Sequence, residues 1–175
     1  EIIDDDDIKP SVPYPLHKLQ EMTYGIRTGE LNLFTAMEGI GKTEVFRLLE
    51  HSLLKTTDWK IGVIHLEESK SRTLKGLAGY ELMSPAHLPD SNVSKTDIKT
   101  ALHKLVGQDE RLHIYSHFGS DDPNVLLNTI RFMAGPCGCK AVFLDHITLV
   151  VTGLQSEDER KQLDYISTKL AMMVE

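Results

Sequence analysis

From Leu31 to Leu49 the chain reads LNLFTAMEGIGKTEVFRLL: a short apolar run, a turn of small residues, a Lys-Thr pair, then apolar residues at helical spacing. Nothing else in the sequence constrains the fold as tightly, because strand, glycine turn, lysine, hydroxyl and helix in that order form a cradle for a polyphosphate. The backbone N–H groups must point inward, so the turn needs residues without bulk, here Gly39 and Gly41. Lys42 adds a point charge for the outer phosphates. Thr43 offers its hydroxyl to a magnesium ion, and the positive end of the helix dipole faces the anion. Glu38, Ile40 and Glu44 complete the stretch expected to touch the nucleotide. Ala36 replaces the first glycine of the general pattern, and Glu38 puts a carboxylate in the loop, which must turn to solvent to avoid repelling phosphate. The plain alternative is a chance turn before a surface helix; the apolar run before it and the helix after it weigh against that.

Residues 1–28 carry an acid run, Asp4 to Asp7, and three of the seven prolines, and read as a linker or arm with one short helix, Leu16 to Met22. Residues 29–175 then alternate between strand and helix patterns. Leu31 to Phe34 is the first expected strand, and the helix after the glycine turn runs to about Lys55. Ile61 to Leu66 is nearly continuous in apolar residues, as a strand covered on both faces must be. Helices are expected over Ser71 to Met83, over Thr96 to Val106 with Thr96 as cap, and from the Asp122-Pro123 start to Ala134. Leu112 to Tyr115 and Ala141 to Leu144 are the third and fourth strands, and Asp158 opens a last helix. The alternation predicts an α/β fold: a mainly parallel sheet with helices on both faces. A sheet that ends on a helix is expected to continue past Glu175.

Phosphoryl transfer to water needs a metal site and a group that positions the water, besides the cradle. Asp145, delivered by the apolar run Ala141 to Leu144, is placed to hold magnesium together with Thr43. Glu67 and Glu68 follow the strand Ile61 to Leu66, where ligand chemistry collects in an open α/β sheet. Successive residues point to opposite sides, so one of the two faces the nucleotide and the other does not. His146 is a hydrogen-bonding neighbour or a structural histidine, the latter being the safer reading. His65, His113 and His117 are lone histidines in or beside strands and receive no chemistry. Cys137 and Cys139 are too close for an ordinary disulfide and too few for a zinc site; reduced thiols suit an intracellular protein.

At this point the residues carry a resemblance. GELNLFTAMEGIGKTEVFR, IGVIHLEES, AVFLDHITLVV and SEDERKQLDYISTKL, in this order and spacing, resemble the helicase half of phage primase-helicases, over residues 28–175. These are RecA-like ring helicases related to DnaB and mitochondrial Twinkle. The resemblance implies a RecA-like P-loop NTPase core in a homo-hexameric ring that hydrolyses ATP or another NTP or dNTP with Mg2+ and unwinds DNA 5′ to 3′ at a replication fork. It implies Lys42, Glu67 and Asp145 as catalytic residues, selecting Glu67 over Glu68, and Thr43 with Asp145 at the metal. Its partners would be single-stranded DNA, through segments mostly beyond this chain, a primase domain upstream and a replicative polymerase. The compartment would be the cytoplasm of a phage-infected bacterium, or alternatively a mitochondrion. The family's γ-phosphate sensor, DNA-binding loops and arginine finger fall outside residues 1–175.

Two other readings share these residues. A recombinase or another RecA-like ring or filament ATPase would use the same core. A non-catalytic assembly module would have lost phosphate binding through Ala36 and Glu38. Net charge is −7, so the bulk electrostatics do not favour nucleic acid and any DNA contact must be local. No apolar run reaches the length of a membrane span.

Overall fold

A computed structural model describes residues 10–37, 39–107, 109–116, 122–150 and 156–174. Glu38, the acid run Asp4 to Asp7 and His117 lie outside the described residues.

The centre is a parallel sheet of three strands, β3 (Lys60–His65), β4 (Leu112–Tyr115) and β5 (Cys139–Asp145), in the order β4-β3-β5. β1 (Ser11–Val12) and β2 (Ile26–Arg27) form a separate antiparallel ribbon around α1 (His17–Thr23). The other helices are α2 (Lys42–Thr56), α3 (Lys70–Leu82), α4 (Lys95–Val106), α5 (Pro123–Ala134) and α6 (Ser156–Met173), with a 3-10 turn at Ile147–Val150. β3 lies in the middle, which explains its unbroken apolar run: Ile61 to Ile64 are all buried.

Alternation along β3 divides the core. Ile61 and Val63 pack with Leu53 and Leu54 of α2, Leu77 of α3 and Leu105 of α4. Ile64 faces the other way, onto Leu126, Leu127 and Met133 of α5 and Ile166 of α6. Helices therefore cover both faces of a parallel sheet, and the fold is the α/β class expected. Residues 10–28 fold against this body, with Tyr14 buried and Val12 and Ile26 packed on the α2–α4 side. At the end of the sheet where β4 begins, Arg111 donates to the carbonyls of Leu54, Thr57, Leu105 and Val106, satisfying the C-terminal turns of α2 and α4.

Two expectations need correction. Leu31 to Phe34 is not a strand: the segment has no ladder partner among the described residues, and Leu31 and Leu33 are exposed. Only Phe34 turns inward, its ring 5.6 Å from Phe46, which in turn sits 5.6 Å from Phe143 of β5. An apolar run alone does not supply the neighbour that a strand's backbone groups require. The α4 cap is Ser94 rather than Thr96, because the Ser94 hydroxyl accepts from Asp97 N–H while Asp97 accepts from Ser94 N–H. The Asp122-Pro123 start of α5 follows the sequence, while α3 begins at Lys70 with Ser69 as a cap that the sequence reading passed over.

The end of α3 leaves no room for a side chain at Gly79. Met83 takes a left-handed conformation, φ 52°, and folds the chain back so that Ser84 N–H donates to Gly79 C=O at 3.0 Å. A Cβ on Gly79 would meet the Ser84 carbonyl oxygen at 2.7 Å. Gly79→Ala is therefore expected to lower stability by about 1–3 kcal/mol, as overpacking against backbone does. Denaturant unfolding compared with Lys75→Ala, on the exposed side of the same helix, checks it.

Candidate nucleotide-binding and catalytic site

The glycine turn meets α2 through two left-handed residues, Gly39 at φ +78° and Gly41 at φ +95°. A Cβ at either would meet nothing within 4 Å, so glycine is required here for its backbone conformation rather than for space. Gly41 is the N-cap of α2; its carbonyl accepts from Val45 N–H at 3.1 Å, and no side chain caps the helix. The first-turn N–H groups of α2 and its positive dipole end are thus left for an anion. Lys42 Nζ donates to Ala36 C=O at 3.3 Å, folding the ammonium over the loop that precedes it. Ile40 is exposed at the tip.

Thr43 and Asp145 meet, from 102 residues apart: Thr43 Oγ1 donates to Asp145 Oδ2 at 2.5 Å. Asp145 is the last residue of β5, buried, and joined to His146 by a cis peptide. A hydroxyl and a carboxylate oxygen side by side beside the glycine turn fit magnesium, which takes few protein ligands and completes its shell with other oxygens such as water. Among the described residues no group of three or more His, Cys, Asp and Glu is placed to hold a metal ion.

Glu67 and Glu68 part company as their alternation requires. Glu67 is more than half exposed, and its Oε1 accepts from His146 Nε2 at 2.8 Å. Glu68 turns inward into a set of buried charges: it pairs with Arg47, lies 2.9 Å from His65 Nδ1 and accepts from Thr73 Oγ1 at 2.7 Å. His65 Nε2 lies 2.9 Å from Glu50 Oε1, and Glu50 is fully buried. Burial works against the His65 charge, but hydrogen bonds to Glu50 and Glu68 outweigh it and hold the imidazole up at about 9. Burial works against Glu68 as well; His65, Thr73 and the Arg47 guanidinium overcome it and hold the carboxyl down at about 2. Burial pushes Glu50 up, with the His65 hydrogen bond opposing. Glu44 also pairs with Arg47, and Tyr80 Oη donates to it, so its carboxylate is held along the flank of α2 while its backbone stays in the first turn.

His65 is therefore not a lone histidine, and Arg47, Glu50 and Thr73 are site residues that the sequence pattern passes over. One signal was present. Thr43, Arg47, Glu50 and Leu54 recur at intervals of four, three and four, a single stripe of α2 running from the cradle into the core. Arg47 reaches Glu68 only because α3 has Gly76 at the crossing, where a Cβ would lie 2.6 Å from Arg47 Nε.

Two comparisons with known proteins bear on this arrangement. A family model described as the DnaB-like helicase C-terminal domain matches residues 11–175. The DNA helicase/primase of Enterobacteria phage T3 is 31% identical over 158 residues, covering 87% of this chain and 27% of that protein. The chain thus spans about a quarter of the length of the relative it matches.

The buried charges set a pH signature. His65 stands at about 9 in the fold against 6.5 free, so its contribution is complete below pH 6.5 and is lost as pH rises through about 9. Glu68 stands at about 2 against 4.5, so its contribution is complete above pH 4.5 and is lost as pH falls through about 2. Urea unfolding should show stability from these groups level between pH 4.5 and 6.5 and declining toward pH 9, with the alkaline decline absent in His65→Gln. Arg47→Met, which leaves buried carboxylates without their cation, should cost about 3–5 kcal/mol at pH 6.

Proposed function

The chain belongs to the DnaB-like helicase C-terminal domain family, and on that premise we propose that it is the NTP-hydrolysing motor core of a hexameric replicative DNA helicase that unwinds 5′ to 3′. The observation that carries this reading is the 2.5 Å contact between Thr43 and Asp145, with Glu67 on the neighbouring strand end. Residues 29–175 form the ATPase part and residues 1–28 an N-terminal linker or arm. Among the described residues no helix is long and apolar enough to cross a membrane.

In this reading the N–H groups of Gly39 to Glu44 cradle the β- and γ-phosphates of ATP or another NTP or dNTP, and Lys42 swings from the Ala36 carbonyl onto them. Glu38, next to Gly39 in the sequence, would border the phosphates. Thr43 and Asp145 would hold the ion. Magnesium there would neutralise charge on the phosphates in the transition state. Glu67, the carboxylate free of the buried charge set, polarises the attacking water. Single-stranded DNA would engage segments mostly beyond this chain, consistent with its net charge of −7. A homo-hexameric ring, a primase domain, a replicative polymerase and a phage-infected bacterial cytoplasm complete the proposal. The name of the T3 relative, DNA helicase/primase, and its phage source support the primase domain and the infected cell; the ring and the polymerase rest on the family resemblance.

The test uses the full-length protein with and without single-stranded DNA. Lys42→Ala should abolish nucleotide binding. Glu67→Gln should bind nucleotide normally and lose turnover by about 10²- to 10⁴-fold, the usual worth of a general base. Turnover in the unaltered protein should rise with single-stranded DNA; DNA-independent hydrolysis, or retained turnover in Glu67→Gln, would count against the motor reading.

A further inference from the structure

We propose that His146 is a positioning residue for this reaction, holding the Glu67 carboxylate in one orientation; the proposal rests on the catalytic reading of Glu67 given above. β3 and β5 run parallel with His65 opposite Asp145, and Leu66 N–H donates to Asp145 C=O at 2.7 Å. Glu67 and His146 are thus the first residues on each chain to leave the ladder, side by side at one rim. Glu68, next along, is locked by Arg47, His65 and Thr73, which fixes the backbone beneath Glu67 but not its side chain. An exposed glutamate on a fixed backbone still has several rotamers open to it. The His146 hydrogen bond at 2.8 Å is its partner among the described side chains and selects one.

The ring is itself oriented. A carboxylate only accepts, so the Nε2 facing Glu67 carries the hydrogen; in the neutral ring Nδ1 then accepts, and Thr148 Oγ1 stands 2.5 Å from it as donor. Thr148 sits in the 3-10 turn that follows β5, two residues on. One dipeptide therefore reaches both halves of the site. Asp145 bonds Thr43 of the phosphate cradle, and His146 bonds Glu67, so the spacing between metal side and water side is set by adjacent residues. Misplacing a catalytic group by about 1 Å can cost about 10²-fold in rate, which is the scale of what such a constraint protects.

The experiment compares His146→Leu, His146→Gln and Thr148→Val in the full-length protein. It measures kcat and KM for NTP hydrolysis, nucleotide affinity by fluorescent-nucleotide titration, and thermal unfolding. His146→Leu should lower kcat by about 10- to 100-fold, the range seen when a partner that orients a ligating group is removed. KM and affinity should stay within about 2-fold, since nucleotide binding does not use the ring. His146→Gln, whose amide N–H can stand in for Nε2, should recover most of kcat, and Thr148→Val should fall between. In a Glu67→Gln background, His146→Leu should add nothing, because the two act as one unit. Unchanged kcat in His146→Leu, equal loss in Leu and Gln variants, or additive loss with Glu67→Gln would overturn the proposal while leaving the role of Glu67 standing. Should His146→Leu fail to fold, Thr148→Val and His146→Gln decide the same question, and wild-type kcat in Thr148→Val overturns the proposal. Full turnover in Glu67→Gln alone would overturn the catalytic reading and this proposal with it.

Discussion

Parallel pairing of β3 with β5 is the constraint on which the rest depends. It puts His65 opposite Asp145, so two chain segments about 80 residues apart leave the sheet at one rim and in one direction. In a parallel sheet each return must cross over the face, and the crossing helices bury both sides of the central strand. Ile61 and Val63 on one side and Ile64 on the other are the price of that geometry, and they are met by α2 to α4 and by α5 with α6. The glycine turn then delivers the start of α2 to the rim where Asp145 ends β5. Thr43 and Asp145 touch because sheet and helix agree on that place.

Beneath the rim lies a second layer, a buried set of charges shared by three elements. α2 gives Arg47 and Glu50, β3 with its extension gives His65 and Glu68, and α3 gives Thr73. Such sets are weak as net stabilisers, since desolvation consumes most of the attraction, but breaking one member leaves a stranded charge. Their value here is in register: a carboxylate at Glu68 that must meet Arg47, His65 and Thr73 together admits one placement of the turn after β3. Glu67 is displayed outward as a consequence. Gly76 belongs to the same device, because the Arg47 side chain passes where its Cβ would be.

Charge is distributed to match. Acidic residues outnumber basic ones by seven over the chain, and Lys42, at the start of α2, rests on a backbone carbonyl rather than a carboxylate. A lysine held by a neutral acceptor is released at lower cost than one in an ion pair. The loop can therefore be overall acidic in its neighbours and still present a positive face to an anion through backbone and ammonium together.

What local pattern could determine, it did. The glycine turn into Lys42-Thr43 and a helix is a short-range property, as are the Asp122-Pro123 start of α5 and the continuous run of β3, and each was readable from neighbouring residues. The departure at Leu31 to Phe34 shows the limit: an apolar run states a preference for burial, not which surface will provide it, and here only Phe34 found one. The same limit governed the two glutamates and His65. Alternation said that Glu67 and Glu68 point apart; which one faces inward depended on Arg47, Glu50 and Thr73 arriving from two helices, contacts spanning up to 21 residues of which the stripe on α2 marks only one side. Local chemistry is written in sequence because it acts through adjacent bonds, whereas partnership across a core is settled only when packing decides which side chains share a dielectric and which remain in water.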